Sequence, residues 1–519
     1  MNLKKYIALA LMSSLLACAR SSDTNIAHGI AQVPIAPPSC PQDEPVASNG
    51  SPVLKQTGRW LTDAQGRVVV LHGLNQINKF SPYEPMVLGF GDDDAAYMAS
   101  QGFNTLRIGV IYKAFEPMPG VYDDAYLEKL AQLAELLGRH GIYTLLDFHQ
   151  DMYNERYNGE GMPDWASIDD VPVGMPKCTP DLGFPGNYFT CAPLWQAFDN
   201  FWNNTAVAGL GMQERYALAW ARVAARFKSI PSVFGYDIFN EPFPGSDYAL
   251  CASPLGCTTN FDDKLTAFHV KVAAAIRAVD PAKVIYYEPN VEFNSGADTK
   301  HGDVMDDNAG LSFHLYCLAA TPGLPTLPGT ELCRGTGEKI VFDNAEKHIQ
   351  RYNKTSLITE FGATDDNATI QRVTEGADAA MIGWQEWAWW NRDVCCDRPA
   401  EGLIIDISKP PSDDNLKQAK LDAMVRAYPR TVAGTPTAWA FNNNTKLFTL
   451  NYNTAKADGT GRSNSSLLSE VWLPKRQYPK GYVVTVTGAQ VTSAPNAERL
   501  LLQATNCASQ VQVSVSPRP

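Results

Sequence analysis

The chain has 519 residues, 45% of them hydrophobic and 19% charged, with a net charge of −12. That length holds one large domain plus a smaller one, and the composition supplies a sizeable core and excludes general disorder. The acidic balance argues against nucleic acid as a partner and against binding anionic lipid by charge alone.

Lys4 and Lys5 precede an apolar stretch, residues 6–16, too short to span a membrane as a mature helix. It ends Leu15-Leu16-Ala17-Cys18, which resembles a bacterial lipobox, where the cysteine becomes the lipidated first residue. Residues 1–17 are therefore expected to be a lipoprotein signal peptide and Cys18 the lipidation site. That makes the chain an exported protein of a bacterial envelope, or a secreted one if the segment is an ordinary signal. Residues 18–50, rich in Ser, Pro and Ala, read as a flexible tether. Of the 11 cysteines all but Cys18 remain for pairing, an even number that suggests disulfides in an exported protein. Near neighbours invite Cys178–Cys191, Cys251–Cys257 and Cys317–Cys333, although spacing does not settle connectivity. No CxxC pair has zinc spacing, so neither a metal nor a cofactor is expected.

Residues 58–63 and 66–71 look like a hairpin feeding a first strand at 68–75. Seven further β-like runs follow at 105–110, 143–149, 233–240, 284–289, 311–316, 356–361 and 383–390. Helical periodicity is clearest at 123–140, 213–227, 262–279 and 344–352. Alternation of apolar strands with helices indicates a parallel sheet covered on both faces. Eight units favour a closed (β/α)8 TIM barrel, over 51–430, above a doubly wound sheet. The latter calls for a glycine-rich phosphate loop after strand 1, and Gly73-Leu74-Asn75-Gln76 is not one. The stretch 151–212 is far longer than a usual connection and carries Trp165, Trp195, Trp202 and two cysteines. It is read either as a stapled wall of a cleft or as a packed surface insertion. Residues 432–519 alternate with period two, as at 445–451, 469–473, 482–486 and 510–515, and read as a small β-sandwich packed on the barrel.

Polar residues gather at the ends of these runs, where barrel strands present chemistry. They are Arg107 on strand 2, Asp147, His149 and Asp151 on strand 3, and Asn240 and Glu241 on strand 4. Strand 6 supplies His314 and Tyr316, strand 7 Glu360, and strand 8 Trp387 and Trp389. Glu241 and Glu360 stand about 120 residues apart, each where an apolar run meets a loop. Breaking a glycosidic bond needs two such carboxyls, one holding a proton and one ionised.

Leu106-Arg107-Ile108, Asp147-Phe148-His149, Asn240-Glu241-Pro242, His314-Leu315-Tyr316, Thr359-Glu360-Phe361 and the strand-8 Trp occur in one order over about 280 residues. Together they resemble the clan of retaining β-glycosidases that includes glycoside hydrolase family 5. Within it, 146–153 and the insertion segment 198–202 resemble the endoglycoceramidases, which cut between the oligosaccharide and the ceramide of a glycosphingolipid. The resemblance implies Glu241 as acid/base and Glu360 as nucleophile. It implies Asn240 on the sugar 2-hydroxyl, and Arg107 and Tyr316 on Glu360. His314 is expected near Glu241, and His149 and Asp151 on sugar hydroxyls. Trp387 is expected to stack on the sugar, or Trp389 if the register slips by two. Lys79 matches a sugar-binding lysine, with a plain surface lysine as the alternative. A metal at His149 and Asp151 lacks a third ligand, Glu288 and Glu292 lack a family match, and Asp237 is read as structural. The expected substrate is a glycosphingolipid or another β-glycoside, and the protein is expected to be a monomer touching membrane only through its anchor and its substrate. The alternatives are the same fold acting on a β-glucan, mannan or steryl glucoside, and a non-catalytic glycan-binding surface lipoprotein.

Overall fold

The computed structural model describes residues 54–172, 174–316, 333–390 and 399–519. Cys18, the tether and the Cys317–Cys333 pairing lie outside them. Three short strands come first: β1 (Lys55–Thr57), β2 (Trp60–Thr62) and β3 (Val68–Val69). The barrel follows with β4 (His72–Gln76), β5 (Thr105–Ile111) and β6 (Tyr143–His149). A two-residue hairpin, β7 (Ala206–Val207) with β8 (Leu210–Gly211), lies in the long insertion. The barrel resumes with β9 (Val233–Asp237), β10 (Val284–Tyr287), β11 (Ala309–Leu315), β12 (Thr355–Phe361) and β13 (Gly383–Glu386). Those eight strands pair in parallel and close, β13 against β4. The closed barrel is the expected architecture. At Gly73 the close approach is explicit, since a Cβ there would come 1.9 Å from the Thr105 carbonyl oxygen of β5.

The helices follow from simple patterning. Asp124–Arg139 buries Leu127, Leu130, Ala131, Ala134 and Leu137, one stripe at helical spacing. Asp123 caps it by accepting from the Tyr126 N–H at 3.0 Å, and Arg139 lies in its last turn, where the helix dipole favours a cation. Met212–Phe227 and Phe261–Arg277 match the predicted helices within a residue or two. Glu338–Tyr352 starts earlier than expected.

The first predicted strand, 68–75, is in fact two strands in different sheets. Val68 and Val69 pair with Val432 and Thr431, whereas residues 73–76 pair with barrel strand β5. The apolar run is continuous because its side chains serve several cores in turn. Val68 and Val70 enter the C-terminal core, Leu71 a small core at one end of the barrel, and Leu74 the main core. The predicted strands 233–240 and 383–390 are likewise shorter, because the chain leaves the sheet after Asp237 and Glu386 to form the site.

The C-terminal strands are β14 (Tyr428–Val432), β15 (Thr435–Phe441), β16 (Phe448–Asn453), β17 (Leu468–Trp472), β18 (Tyr482–Thr487), β19 (Ala489–Val491), β20 (Arg499–Ala504) and β21 (Gln510–Pro517). They form two sheets, β15-β16-β21-β18 and β1-β2-β3-β14-β17-β20-β19, so the N-terminal strands complete the sandwich. β15 escapes a period-two reading because its register slips between Pro436 and Ala438. The sandwich packs on the barrel through Asp378, which accepts from Trp439 Nε1 at 3.0 Å and pairs with buried Arg426. In the insertion, helices Gly183–Thr190 and Ala192–Trp202 are joined at Cys191, which is disulfide-bonded to Cys178. Cys251 is bonded to Cys257. Both pairings match expectation.

Candidate active site

At the C-terminal mouth of the barrel lies a cleft of about 930 Å³. Its floor holds Glu241, Glu360 and Tyr316. Lys79, Asp151 and Trp387 line it from the β4, β6 and β13 ends, while Phe243, Val291 and Glu292 line it from the β9 and β10 ends. The insertion adds Phe184, Pro185, Tyr188 and Phe189, so the stapled loop does wall the cleft.

Arg107, wholly buried on β5, organises the floor. Its Nη1 donates to Glu360 Oε1 at 2.6 Å, its Nε to Asp237 Oδ2 at 3.0 Å, and its Nη2 to Asn240 Oδ1 at 2.9 Å and Glu288 Oε1 at 3.1 Å. Nη2 also lies 3.1 Å from Asp147 Oδ1. Burial alone would lower its pKa, but Asp147, Asp237, Glu360 and Glu288 outweigh that and raise it. Asp237 is the carboxyl that gives way: burial, against the pull of Arg107 and with Glu288 and Asp147 nearby, raises its pKa.

Glu360 is held at both oxygens, by Arg107 at Oε1 and by the Tyr316 hydroxyl at Oε2 at 2.8 Å. Burial, then the charges of Glu360 and Glu241, push the Tyr316 phenol upward, so it remains a donor. Glu241 follows the end of β9 at φ +46°, a left-handed conformation uncommon for a residue with a side chain. The surroundings enforce it. Gln150 Nε2 donates to the carbonyls of Asn240 at 2.9 Å and Glu241 at 3.1 Å, and the Glu241 N–H donates to Glu288 Oε2 at 2.9 Å. Its Oε1 accepts from Asn294 Nδ2 at 2.7 Å and lies 2.9 Å from His314 Nδ1. Burial opposes the His314 charge, but Glu288, Glu360 and Glu241 together raise its pKa well above normal. His314 Nε2 lies 3.2 Å from Glu288 Oε1, so both ring nitrogens face carboxylates. Oε1 is thus engaged twice, while Oε2 of Glu241 has no hydrogen-bond partner among the described residues. Oxygens of Glu241 and Glu360 lie within 4.8 Å of each other.

A second charged cluster flanks this pair. Lys79, buried after β4, pairs with Asp151 and lies 3.4 Å from Glu160 Oε1. His149 Nδ1 bonds Asp147 Oδ2 at 2.8 Å, and its Nε2 lies 3.5 Å from Asp151 Oδ2. Burial would lower the His149 pKa, yet Asp147 and Asp151 hold it up at about 9. Asp151, despite burial, is held below the usual carboxylate range by Lys79 and His149. His149, Asp151 and Glu160 are close enough to hold a metal, but the Lys79 ammonium and the His149 imidazolium already supply the positive charge there. Lys79 is thus no plain surface lysine. Its ammonium lies 4.8 Å from the Trp387 ring centre, and Trp387 stacks on His149 at 5.4 Å.

All ten expected site residues that fall in the described chain converge here. Arg107, His149, Asn240 and His314 lie beneath the cleft surface, and Lys79, Asp151, Glu241, Tyr316, Glu360 and Trp387 form it. Trp389, the register alternative, is wholly buried and bonds Asp94 at 2.9 Å. Residues that sequence reasoning left without a role include Asn294 and Gln150 on Glu241, Glu288 between Arg107 and His314, and Glu401, which accepts from Trp387 Nε1 at 3.0 Å. Glu288, at the end of an apolar strand like the other two glutamates, had a visible signal; Asn294 and Glu401 had none.

Residues 63–393 match the profile of cellulase (glycosyl hydrolase family 5), and 426–516 match the glycoside hydrolase family 5 C-terminal domain. The chain belongs to glycoside hydrolase family 5. Among curated relatives, it is 31% identical over 455 residues to endoglycoceramidase I of Rhodococcus hoagii, covering 86% of this chain and 84% of that protein. It is 29% identical to endoglycoceramidase of Cyanea nozakii, covering 82% and 85% of the two chains. Among solved structures, endo-glycoceramidase II from Rhodococcus sp. superposes with a TM-score of 0.71 at 26% identity, over 89% of this chain and all of that one. The same enzyme has been solved as a lactosyl-enzyme intermediate, which this chain matches at 25% identity.

Proposed function

We propose that the protein is a retaining endoglycoceramidase, releasing intact oligosaccharide from the ceramide of glycosphingolipids. The separation of Glu241 and Glu360 carries the reaction type: their oxygens lie within 4.8 Å, and the retaining mechanism needs its two carboxyls about 5 Å apart. Glu360, aimed by Arg107 and Tyr316, attacks the anomeric carbon. The bond to the aglycone oxygen breaks as Glu241 delivers its Oε2 proton to that oxygen. Glu241 then takes a proton from water, which attacks the glycosyl-enzyme and frees Glu360 with the anomeric configuration retained. Lys79, Asp151 and Trp387 hold the sugar, and Asn240, fixed by Arg107 and by its own bond to the Gln150 carbonyl, lies beneath the 2-hydroxyl.

The substrate class is supported by the relatives and by the apolar wall of Phe184, Tyr188, Phe189, Phe243 and Val291, which suits lipid chains better than a second sugar. A lipidated Cys18 fits this reading, since it holds the enzyme at the surface where such substrates lie. The test is incubation with lactosylceramide in detergent, products resolved by mass spectrometry. Lactose plus ceramide is the expected result. Cleavage of an aryl β-glucoside without ceramide release moves the substrate to glucans or steryl glucosides. Glu360→Gln abolishes turnover. Glu241→Ala slows it by about 10²–10⁴-fold, and azide restores it as the β-glycosyl azide; an inverted product would reject retention.

A further inference from the structure

The segment after β10 folds back as a single tight turn, Val291–Ser295. Asn290 opens it by accepting from the Glu292 N–H at 3.1 Å, and Gly296, at φ +104°, closes it. That turn reaches the site twice. Asn294 holds Glu241, and Glu292 joins the cleft wall beside Val291. Glu292 is half-buried, and among the described residues its carboxylate has neither a hydrogen bond nor an ion pair. Burial first, then the charge of Glu241, push its pKa up to about 7. When a ligand fills the cleft and displaces the water at this carboxyl, leaving it unpaired in a partly apolar wall is costly unless the ligand completes its bonding.

Position identifies that part of the ligand. In the closed barrel β10 neighbours β9 and β11, on the opposite arc from β13 and β4, whose ends carry Trp387 and Lys79. Glu241 hands its proton to the departing oxygen, so the wall beyond it, with Phe243, Val291 and Glu292, faces the aglycone. A plain alkyl aglycone would bury Glu292 without a partner. A sphingoid aglycone carries an amide N–H on the second carbon from the glycosidic oxygen and a hydroxyl on the third, both donors. We infer that Glu292 is a specificity-determining residue that accepts hydrogen bonds from the amide and hydroxyl of a ceramide aglycone beside Glu241. The inference rests on the glycolipid reading above.

The experiment compares kcat/KM for lactosylceramide and for octyl β-lactoside, which has neither donor, in one detergent, for the full chain and its Glu292→Leu and Glu292→Gln variants. Above pH 7, where Glu292 is ionised, hydrogen bonds to a charged acceptor are worth about 1.5–3 kcal/mol, so Glu292→Leu is expected to lower the lactosylceramide-to-octyl ratio measured at about pH 8 by about 10–100-fold. Glu292→Gln, which keeps one acceptor oxygen, falls between, and it carries the test if the leucine variant does not fold. An unchanged ratio overturns the inference. So does an equal loss on both substrates, which assigns Glu292 to the support of Glu241 instead. If the wild type hydrolyses octyl lactoside but releases no ceramide, the glycolipid reading itself fails and takes this assignment with it.

Discussion

Three histidines away from the cleft make the fold acid-sensitive in a calculable way. His269 lies on helix Phe261–Arg277, His301 on the connection from β10 to β11, and His348 on helix Glu338–Tyr352, all buried around Tyr287 of β10. His301 Nδ1 lies 2.8 Å from the Gly302 carbonyl, which can only accept, so His301 Nε2 accepts from His269 Nδ1 at 2.8 Å. His348 Nε2 bonds the Tyr287 hydroxyl at 3.0 Å. Burial lowers all three, His301 to about 4 and His348 to about 3, the latter helped by His301, Arg351 and Lys354. The folded state therefore leaves His348 neutral down to about pH 3, whereas the unfolded chain protonates it below about 6.5. The unfolded state binds more protons in that window, so stability is lost as pH falls through it. At pH 5 the loss is RT ln(1 + 10^1.5), about 2 kcal/mol for His348 and about as much again for His301. His348→Gln keeps a partner for Tyr287 but cannot titrate. Chemical denaturation of both proteins at pH 7.5 and pH 5 should show the wild type losing about 2 kcal/mol more than the variant. Potentiometry should show the wild type taking up about one proton more on unfolding at pH 5. Equal pH slopes would refute the reasoning, because they require His348 to titrate alike in both states.

Two further outcomes test the site's framework. Opening Cys178–Cys191 with a Cys178→Ser/Cys191→Ser pair releases a 13-residue closure, worth about 3 kcal/mol by chain entropy, and should make the 184–189 wall the first site of limited proteolysis; unchanged cleavage kinetics count against the staple. Arg107→Met leaves Asp147, Glu288 and Glu360 buried around a lost cation, so denaturation midpoints should report a loss of at least about 3–5 kcal/mol together with lost turnover; a stable, inactive variant would confine Arg107 to aiming Glu360.

How much of this was legible in the sequence follows from the range of the forces involved. The barrel strands and main helices were legible because each is written in local periodicity, and Tyr143–His149 is found with the expected bounds. The join at 68–75 was not, since three cores in succession accept one unbroken apolar run. Glu241 and Glu360 stood out at strand ends, yet Glu288 stands at one too and differs only in what surrounds it. Arg107 and His314 take one of its oxygens, and the Glu241 N–H takes the other. Every atom with which Glu288 could act is committed to holding the arginine, the histidine and the strained backbone of Glu241. Glu241 and Glu360, unlike Glu288, line the cleft. Three glutamates at strand ends thus become the proposed catalytic pair and its support through contacts spanning 26 to 253 residues of sequence, distances that no local pattern encodes.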